Sequence, residues 1–190
     1  MTPHKSGFVN IIGNPNVGKS TLMNALVGEK MSIITSKPQT TRHRIFGLLS
    51  EDDYQVVFSD TPGIIDKPIY GMQSSMNKFA FSSFEDADII LYMTDIFEKY
   101  TGEEPVINAL KHAEVPKYLI INKIDIDKED KADDVSKSWE DLVTFDEVFF
   151  ISADKKTNVD NLLTKILADL PEGPPYYPKD ELSDKTERFF

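Results

Sequence analysis

The sequence predicts an α/β fold: a six-stranded, mostly parallel sheet covered by helices on both faces, three layers in all, with one antiparallel edge strand. Three observations predict it. Short apolar runs at 8–12, 89–93, 118–121 and 148–151 alternate with helical patterns, and alternation of that kind calls for crossovers between parallel strands. The runs at 89–93 and 118–121 are near-continuously apolar, as strands buried on both faces are. Two further runs, 45–49 and 54–59, are separated by Glu51-Asp52-Asp53, which reads as a hairpin turn.

In chain order, Phe-Val-Asn-Ile-Ile at 8–12 stops at Gly13, and a helix follows over 20–27 with Leu22, Ala25 and Leu26 on one side. Residues 28–44 are polar and aperiodic, and so long a connection in a compact domain is usually functional. Asp60-Thr61-Pro62-Gly63 ends the strand at 54–59. Met72, Met76, Phe79 and Ala80 then mark a helix. Val106, Ile107 and Leu110 mark another, and Val135, Trp139 and Leu142 one more. Residues 148–151 read as a further buried strand. Val159, Leu162, Leu163, Ile166, Leu167 and Leu170 form the clearest amphipathic helix of the chain. Pro171-Glu172-Gly173-Pro174-Pro175 stops it and begins a stiff linker. The expected division is one domain over 1–170, then a linker over 171–190 that stops where a second domain would begin.

Composition removes whole classes of function. The 190 residues are 40% hydrophobic and 11% aromatic, enough for a full core, so wholesale disorder is excluded. With no cysteine there is neither a disulfide scaffold nor a thiolate metal site. His4, His43 and His112 lie far apart, in no ligand spacing. A net charge of −11 gives no global pull toward nucleic acid or anionic lipid. No apolar run approaches the ~20 residues of a membrane span, and the first residues do not read as a signal peptide. A cytoplasmic protein is expected.

The chemistry sits at the carboxyl ends of the strands, where ligands of such sheets bind. Gly13-Asn14-Pro15-Asn16-Val17-Gly18-Lys19-Ser20 fits the phosphate-loop pattern G-x-x-x-x-G-K-[ST] between a strand and a helix. Its glycines let successive N–H groups point inward at phosphate oxygens. Lys19 would bridge the β- and γ-phosphates, Ser20 would bind magnesium, and the helix behind them presents its positive end. Asp60 suits a magnesium-holding role through water, and the Gly63 N–H can approach a γ-phosphate closely. In Asn122-Lys123-Ile124-Asp125, the Asp125 carboxylate can accept from both N1–H and the exocyclic amine of guanine, whereas adenine would leave it unpaired. Lys123 can lay its aliphatic stem over the purine, and Asn122 can tie neighbouring loops together. An N–H at Ser152-Ala153 would meet guanine O6. Thr40 and Thr41 are adjacent candidates for a residue that reaches the magnesium and γ-phosphate only in the triphosphate state. Arg42, His43 and Arg44 form a small basic cluster suited to phosphate, a partner or solvent.

These elements in this order resemble a TRAFAC-class GTPase domain, a P-loop NTPase G domain. The strings at 13–26, 35–44 (Thr-Ser-Lys-Pro-Gln-Thr-Thr-Arg-His-Arg) and 60–63 are similar to the Era-like group over nearly the whole chain. Gln-Thr-Thr-Arg-His-Arg is the most specific part, since the related MnmE and Der proteins usually differ there. The resemblance assigns Thr41 as a magnesium ligand and Asn16 as a potassium ligand beside the β,γ-phosphates. It implies slow, potassium-stimulated GTP hydrolysis in a switch that acts in 16S rRNA processing and small-subunit assembly. Binding of GTP or GDP with Mg2+ and K+ falls to Asn14, Pro15, Asn16, Val17, Gly18, Lys19, Ser20, Thr21, Asp60, Gly63, Asn122, Lys123, Asp125, Ser152 and Ala153. Lys19, Thr41 and Gly63 are the catalytic candidates. Where Ras-like proteins carry a water-orienting Gln, this chain has Ile64, so cations and backbone donors must serve instead. The group also carries a C-terminal KH domain that binds 16S rRNA; only its first residues would be present here. The resemblance implies a mostly monomeric protein and admits peripheral membrane association. A P-loop small-molecule kinase and a non-enzymatic RNA-binding module are the rival readings. The Asn-Lys-x-Asp string opposes the first and the acidic balance the second.

Overall fold

Val9, Ile11 and Ile12 have no exposed surface, because the strand that carries them lies in the middle of the sheet. The computed structural model describes residues 2–28, 32–35, 45–61, 78 and 81–178. Its elements are β1 (Lys5–Gly13), α1 (Lys19–Val27), β2 (Ser32–Thr35), β3 (Ile45–Ser50), β4 (Tyr54–Asp60), β5 (Ile89–Asp95), α2 (Pro105–His112), β6 (Lys117–Asn122), α3 (Lys131–Glu140), β7 (Glu147–Phe150) and α4 (Val159–Asp169). The strands form one sheet in the order β2-β3-β4-β1-β5-β6-β7. Within it β1 pairs in parallel with β4 and β5, β5 with β6, and β6 with β7.

The α/β class and the six expected strands are all present. A seventh, Ser32–Thr35, lies in the connection that composition reads as aperiodic, and pairs antiparallel with β3. The reversed strand β3 is therefore covered rather than the edge. A four-residue strand is too short for its alternation to rise above the polar residues around it. At the other edge β7 is half-buried, with Glu147 exposed, so the expectation of a fully buried strand fails there. An edge strand has one neighbour and one open side. Leu142 falls beyond the end of α3. The helix expected around Met72, Met76, Phe79 and Ala80 lies outside the described residues.

Side chains alternate between two cores. Ile89, Leu91 and Met93 of β5, with Tyr118 and Ile120 of β6, meet Leu22 and Leu26 of α1 and Leu162 and Ile166 of α4. Ile90 and Tyr92, with Leu119 and Ile121, meet Val106 and Leu110 of α2 and Trp139 of α3. Asn10 of the central strand is tolerated because its Nδ2 donates to Ser83 O (2.6 Å) and Asp86 Oδ1 (2.8 Å).

The proline-rich stretch after α4 lies against the sheet through Tyr177. Ser6 N–H donates to Pro171 O, Gly173 N–H donates to His4 O, and Lys5 pairs with Glu172 as an antiparallel bridge. Gln55 of β4, wholly buried, accepts at Oε1 from the N–H groups of Tyr176 (2.8 Å) and Tyr177 (3.0 Å) and donates from Nε2 to Tyr177 O (3.0 Å). The Tyr176 ring stands 4.8 Å from that of Phe8. This strap crosses the amino-terminal ends of β1 and β4, leaving their carboxyl ends to the site. No helix among the described residues is long and apolar enough to cross a membrane.

Candidate functional site

At the end of β1 the chain leaves Gly13, rounds residues 14–18 and enters α1. A Cβ on Gly13 would stand 2.3 Å from Met93 O, so only glycine lets β1 run this close to β5. Gly18 has φ +106°, and a Cβ there would stand 2.4 Å from Asn122 Nδ2. Asn16 is also left-handed, at φ 66°. Val17 plugs the core between these turns. The helix begins with no side-chain cap and no acidic residue of its own in its first turn, which leaves its N–H groups directed at the loop. Thr21 is exposed on that turn, and Asn14 and Pro15 sit at the loop's rim.

Lys19 is 8% exposed, and its Nζ folds back to donate to Asn14 O at 2.8 Å. Ser20 Oγ donates to Asp60 Oδ2 at 2.5 Å. The other carboxylate oxygen, Asp60 Oδ1, is buried without a hydrogen-bond partner among the described residues. Thr61 Oγ1 donates to Ile11 O at 2.8 Å and pins the end of β4 to β1. Burial lowers the pKa of Lys19 below its usual value, opposed by the charges of Asp60 and Glu98. Burial raises that of Asp60, opposed by the Ser20 hydrogen bond and the charge of Lys19.

The ends of β6 and β7 supply a second cluster. Asn122, buried, donates from Nδ2 to Val17 O (2.8 Å) and accepts at Oδ1 from Ala153 N–H (2.9 Å). It thereby ties the phosphate loop to the 152–153 loop, as expected. Of the two N–H groups at Ser152-Ala153 that the sequence offers to guanine O6, that of Ala153 is spent on Asn122 in this structure and that of Ser152 donates to Thr157 O (3.2 Å). Ser152 is buried, and its Oγ accepts from Lys155 N–H (3.1 Å). Lys123 is left-handed at φ 68° and opens a short 3-10 turn, Ile124–Ile126, from which Asp125 is exposed. The Lys123 Nζ donates to Asn16 O (3.0 Å) and Asp95 Oδ2 (2.7 Å). Thr40, Thr41, Arg42, His43, Arg44, Gly63 and Ile64 lie outside the described residues. Asp95 was missed in the sequence, although it ends a buried strand just as Asp60 does.

A family model described as a 50S ribosome-binding GTPase matches residues 8–123, from β1 through Lys123. The chain belongs to that GTPase family. It is 46% identical over 186 residues to the GTPase Era of Lactobacillus delbrueckii subsp. bulgaricus, covering 98% of this chain and 62% of that protein. It is 45% identical to the GTPase Era of Clostridium kluyveri, over 97% and 63% of the respective chains. The chain thus spans a little under two thirds of the curated relatives it matches. Among solved structures, an Aquifex aeolicus Era variant bound to GDP·AlF4− superposes with a TM-score of 0.74 at 40% identity, over 93% of this chain and 60% of that one. An Era complex with MgGDPNP and a 16S ribosomal RNA segment superposes with a TM-score of 0.76 at 39% identity, over 93% and 61%.

For a GTPase of this family the donor set at Ser20 and Asp60 fits a magnesium ion. It is made of oxygen alone, which suits a hard divalent cation, and the orphaned Asp60 Oδ1 needs a positive partner. The neighbouring Lys19 ammonium, desolvated and hydrogen-bonded among the described residues to the neutral Asn14 carbonyl, is open to an anion. The cradle is thus wired for a phosphate–metal pair.

Proposed function

We propose that the chain is the nucleotide-binding part of an Era-like switch, which binds GTP or GDP with magnesium and hydrolyses GTP. The bridge from Val17 O through Asn122 to Ala153 N–H carries the reading, because it sets the phosphate cradle and the base-reading loops in one frame. Lys19 would leave Asn14 O for the β- and γ-phosphates and neutralise their charge. Ser20 and Asp60 would hold the metal, joined by Thr41. When bound, magnesium would draw charge off the phosphates and steady the γ-phosphoryl group. Water attacks the γ-phosphorus, the bond to the β,γ-bridging oxygen breaks, and GDP, phosphate and a proton leave. Ile64 has no group to orient that water, so turnover rests on charge and position. Asn16 would hold potassium, and exchange of K+ for Na+ should slow hydrolysis.

Asp125 reads the guanine edge, with Lys123 beneath the base. Gly63 and Thr41 sense the γ-phosphate, so the segments around them order with GTP and relax with GDP. The output is differential binding of a partner. For the whole protein we take that partner to be 16S rRNA and the small ribosomal subunit, since a similar Era has been solved with such RNA. In this reading 1–170 is the G domain and 171–190 leads to an RNA-binding KH domain. A net charge of −11 over these 190 residues supports placing RNA contact in that further domain. The protein is cytoplasmic and mostly monomeric in this reading, with peripheral membrane contact as an accessory property.

Titration with fluorescent GDP and ADP tests the proposal. GDP should bind at least about a hundredfold more tightly; equal affinities would reject a guanine switch and favour a kinase. The Asp125→Asn variant should shift preference toward xanthine nucleotides, because its amide donates where the carboxylate accepts. Unchanged guanine preference would remove Asp125 from base recognition.

A further inference from the structure

Three segments meet at the ammonium of Lys123: residue 16 of the phosphate loop, the end of β5, and the turn after β6. From the first, Asn16 O accepts at 3.0 Å; from the second, Asp95 Oδ2 accepts at 2.7 Å. The Asp95 side chain is 7% exposed, against 32% for that of Lys123, so the carboxylate is the buried and fixed partner. Its other oxygen accepts from the N–H groups of Phe97 (2.9 Å) and Glu98 (3.2 Å), which leaves the carboxylate no freedom to swing away. Lys123 itself sits at φ 68°, a strained backbone for lysine that persists only where the surroundings enforce it.

We propose that Asp95 is a positioning residue for guanine-nucleotide binding, acting through Lys123. This rests on the nucleotide site proposed above. A lysine stem has four rotatable bonds, and an untethered one would not serve as a ledge for a base. Anchoring its head on both sides stretches the stem before the base arrives, so no ordering cost remains at binding. Asp95 sets the anchor because, unlike the Asn16 carbonyl, it is charged and itself pinned. The same carboxylate ties the loop after β5 to the loop after β6, so base binding depends on a strand end outside the family's motif strings.

The substitution Asp95→Asn isolates this role. The amide oxygen can still accept the Phe97 and Glu98 N–H groups, but the remaining amide donor now faces the Lys123 ammonium. Lys123→Met keeps the stem and removes the head. Dissociation of fluorescent GDP is measured for wild type, the two single variants and the double variant, with thermal midpoints alongside. Each single variant should release GDP about tenfold faster, and the double also about tenfold faster, because both remove one interaction. A wild-type rate in Asp95→Asn, or an additive, about hundredfold, effect in the double, overturns the proposal. If Asp95→Asn does not fold, Asp95→Ser, whose hydroxyl can still accept the Phe97 N–H, takes its place in the same cycle. Failure of the wild-type chain to bind GDP would instead overturn the underlying reading.

Discussion

Asn122 Nδ2 and the Val17 carbonyl, 2.8 Å apart, join two loops that are 105 residues apart in the chain. It is the buried link between the phosphate loop and the turn after β6, beside the exposed contact of Lys123 Nζ with Asn16 O. Asn122→Ala leaves Val17 O and Ala153 N–H both unpaired and buried. We expect a loss of about 2–3 kcal/mol in urea unfolding and GDP affinity weakened by about 30-fold or more. Loss of stability with full affinity would show that the bridge serves the fold alone.

Asp60 carries an electrostatic cost that, in the proposed reading, a bound magnesium ion would relieve. Its carboxylate is desolvated, and one oxygen has no described partner. Asp60→Asn keeps an oxygen for the Ser20 hydroxyl and removes the charge. The nucleotide-free variant should melt higher, by about 2–4 °C. At the same time GDP release should lose its dependence on Mg2+ concentration. A lower melting point in the nucleotide-free variant would contradict this electrostatic account.

The buried amide of Gln55 holds the strap at its far end. Gln55→Leu fills the volume but leaves the Tyr176 and Tyr177 N–H groups without their acceptor. We expect about 2 kcal/mol of destabilisation. Hydrogen exchange at those two amides should accelerate well beyond that of the sheet. Unchanged protection at both would mean that the strap is held by its rings against Phe8, Leu48 and Val57 instead.

Tyr118 is buried on β6, and its hydroxyl donates to Asp169 Oδ2 at the end of α4. Burial, then the hydrogen bond and charge of Asp169, hold the phenol's pKa above its usual 10.0. The native state therefore keeps this proton more tightly than the unfolded chain. The resulting stability is fully present below pH 10.0 and is lost as pH climbs through the raised native value. Tyr118→Phe should cost about 2 kcal/mol at neutral pH. Its stability should then fall less steeply than that of the wild type above pH 10.0. Parallel curves up to pH 11 would rule out the linkage.

Much of this protein is legible locally. The alternation of apolar runs with helical patterns predicts the α/β class and the six main strands, because burial on two faces imposes its own spacing. Gly13, Gly18, Lys19 and Ser20 match the phosphate-loop pattern within one short string, and the residues proposed to read the base, Asn122, Lys123 and Asp125, also lie within one. Asn122 as a tie between loops could be foreseen, since a buried amide has both a donor and an acceptor to place.

What the tertiary structure alone decided is which strand ends become neighbours. Asp95 and Lys123 meet because β5 and β6 pair in a register that sets Asp95 opposite Asn122. Ser20 reaches Asp60 because β4 lies beside β1. Ser32–Thr35 becomes a strand because β3 offers it a free edge, and Gln55 is buried because the chain returns from α4 to cover it. Periodicity records the environment of each residue along its own element. Strand order and register are set by the joint burial of segments far apart in the chain, and no local pattern carries them.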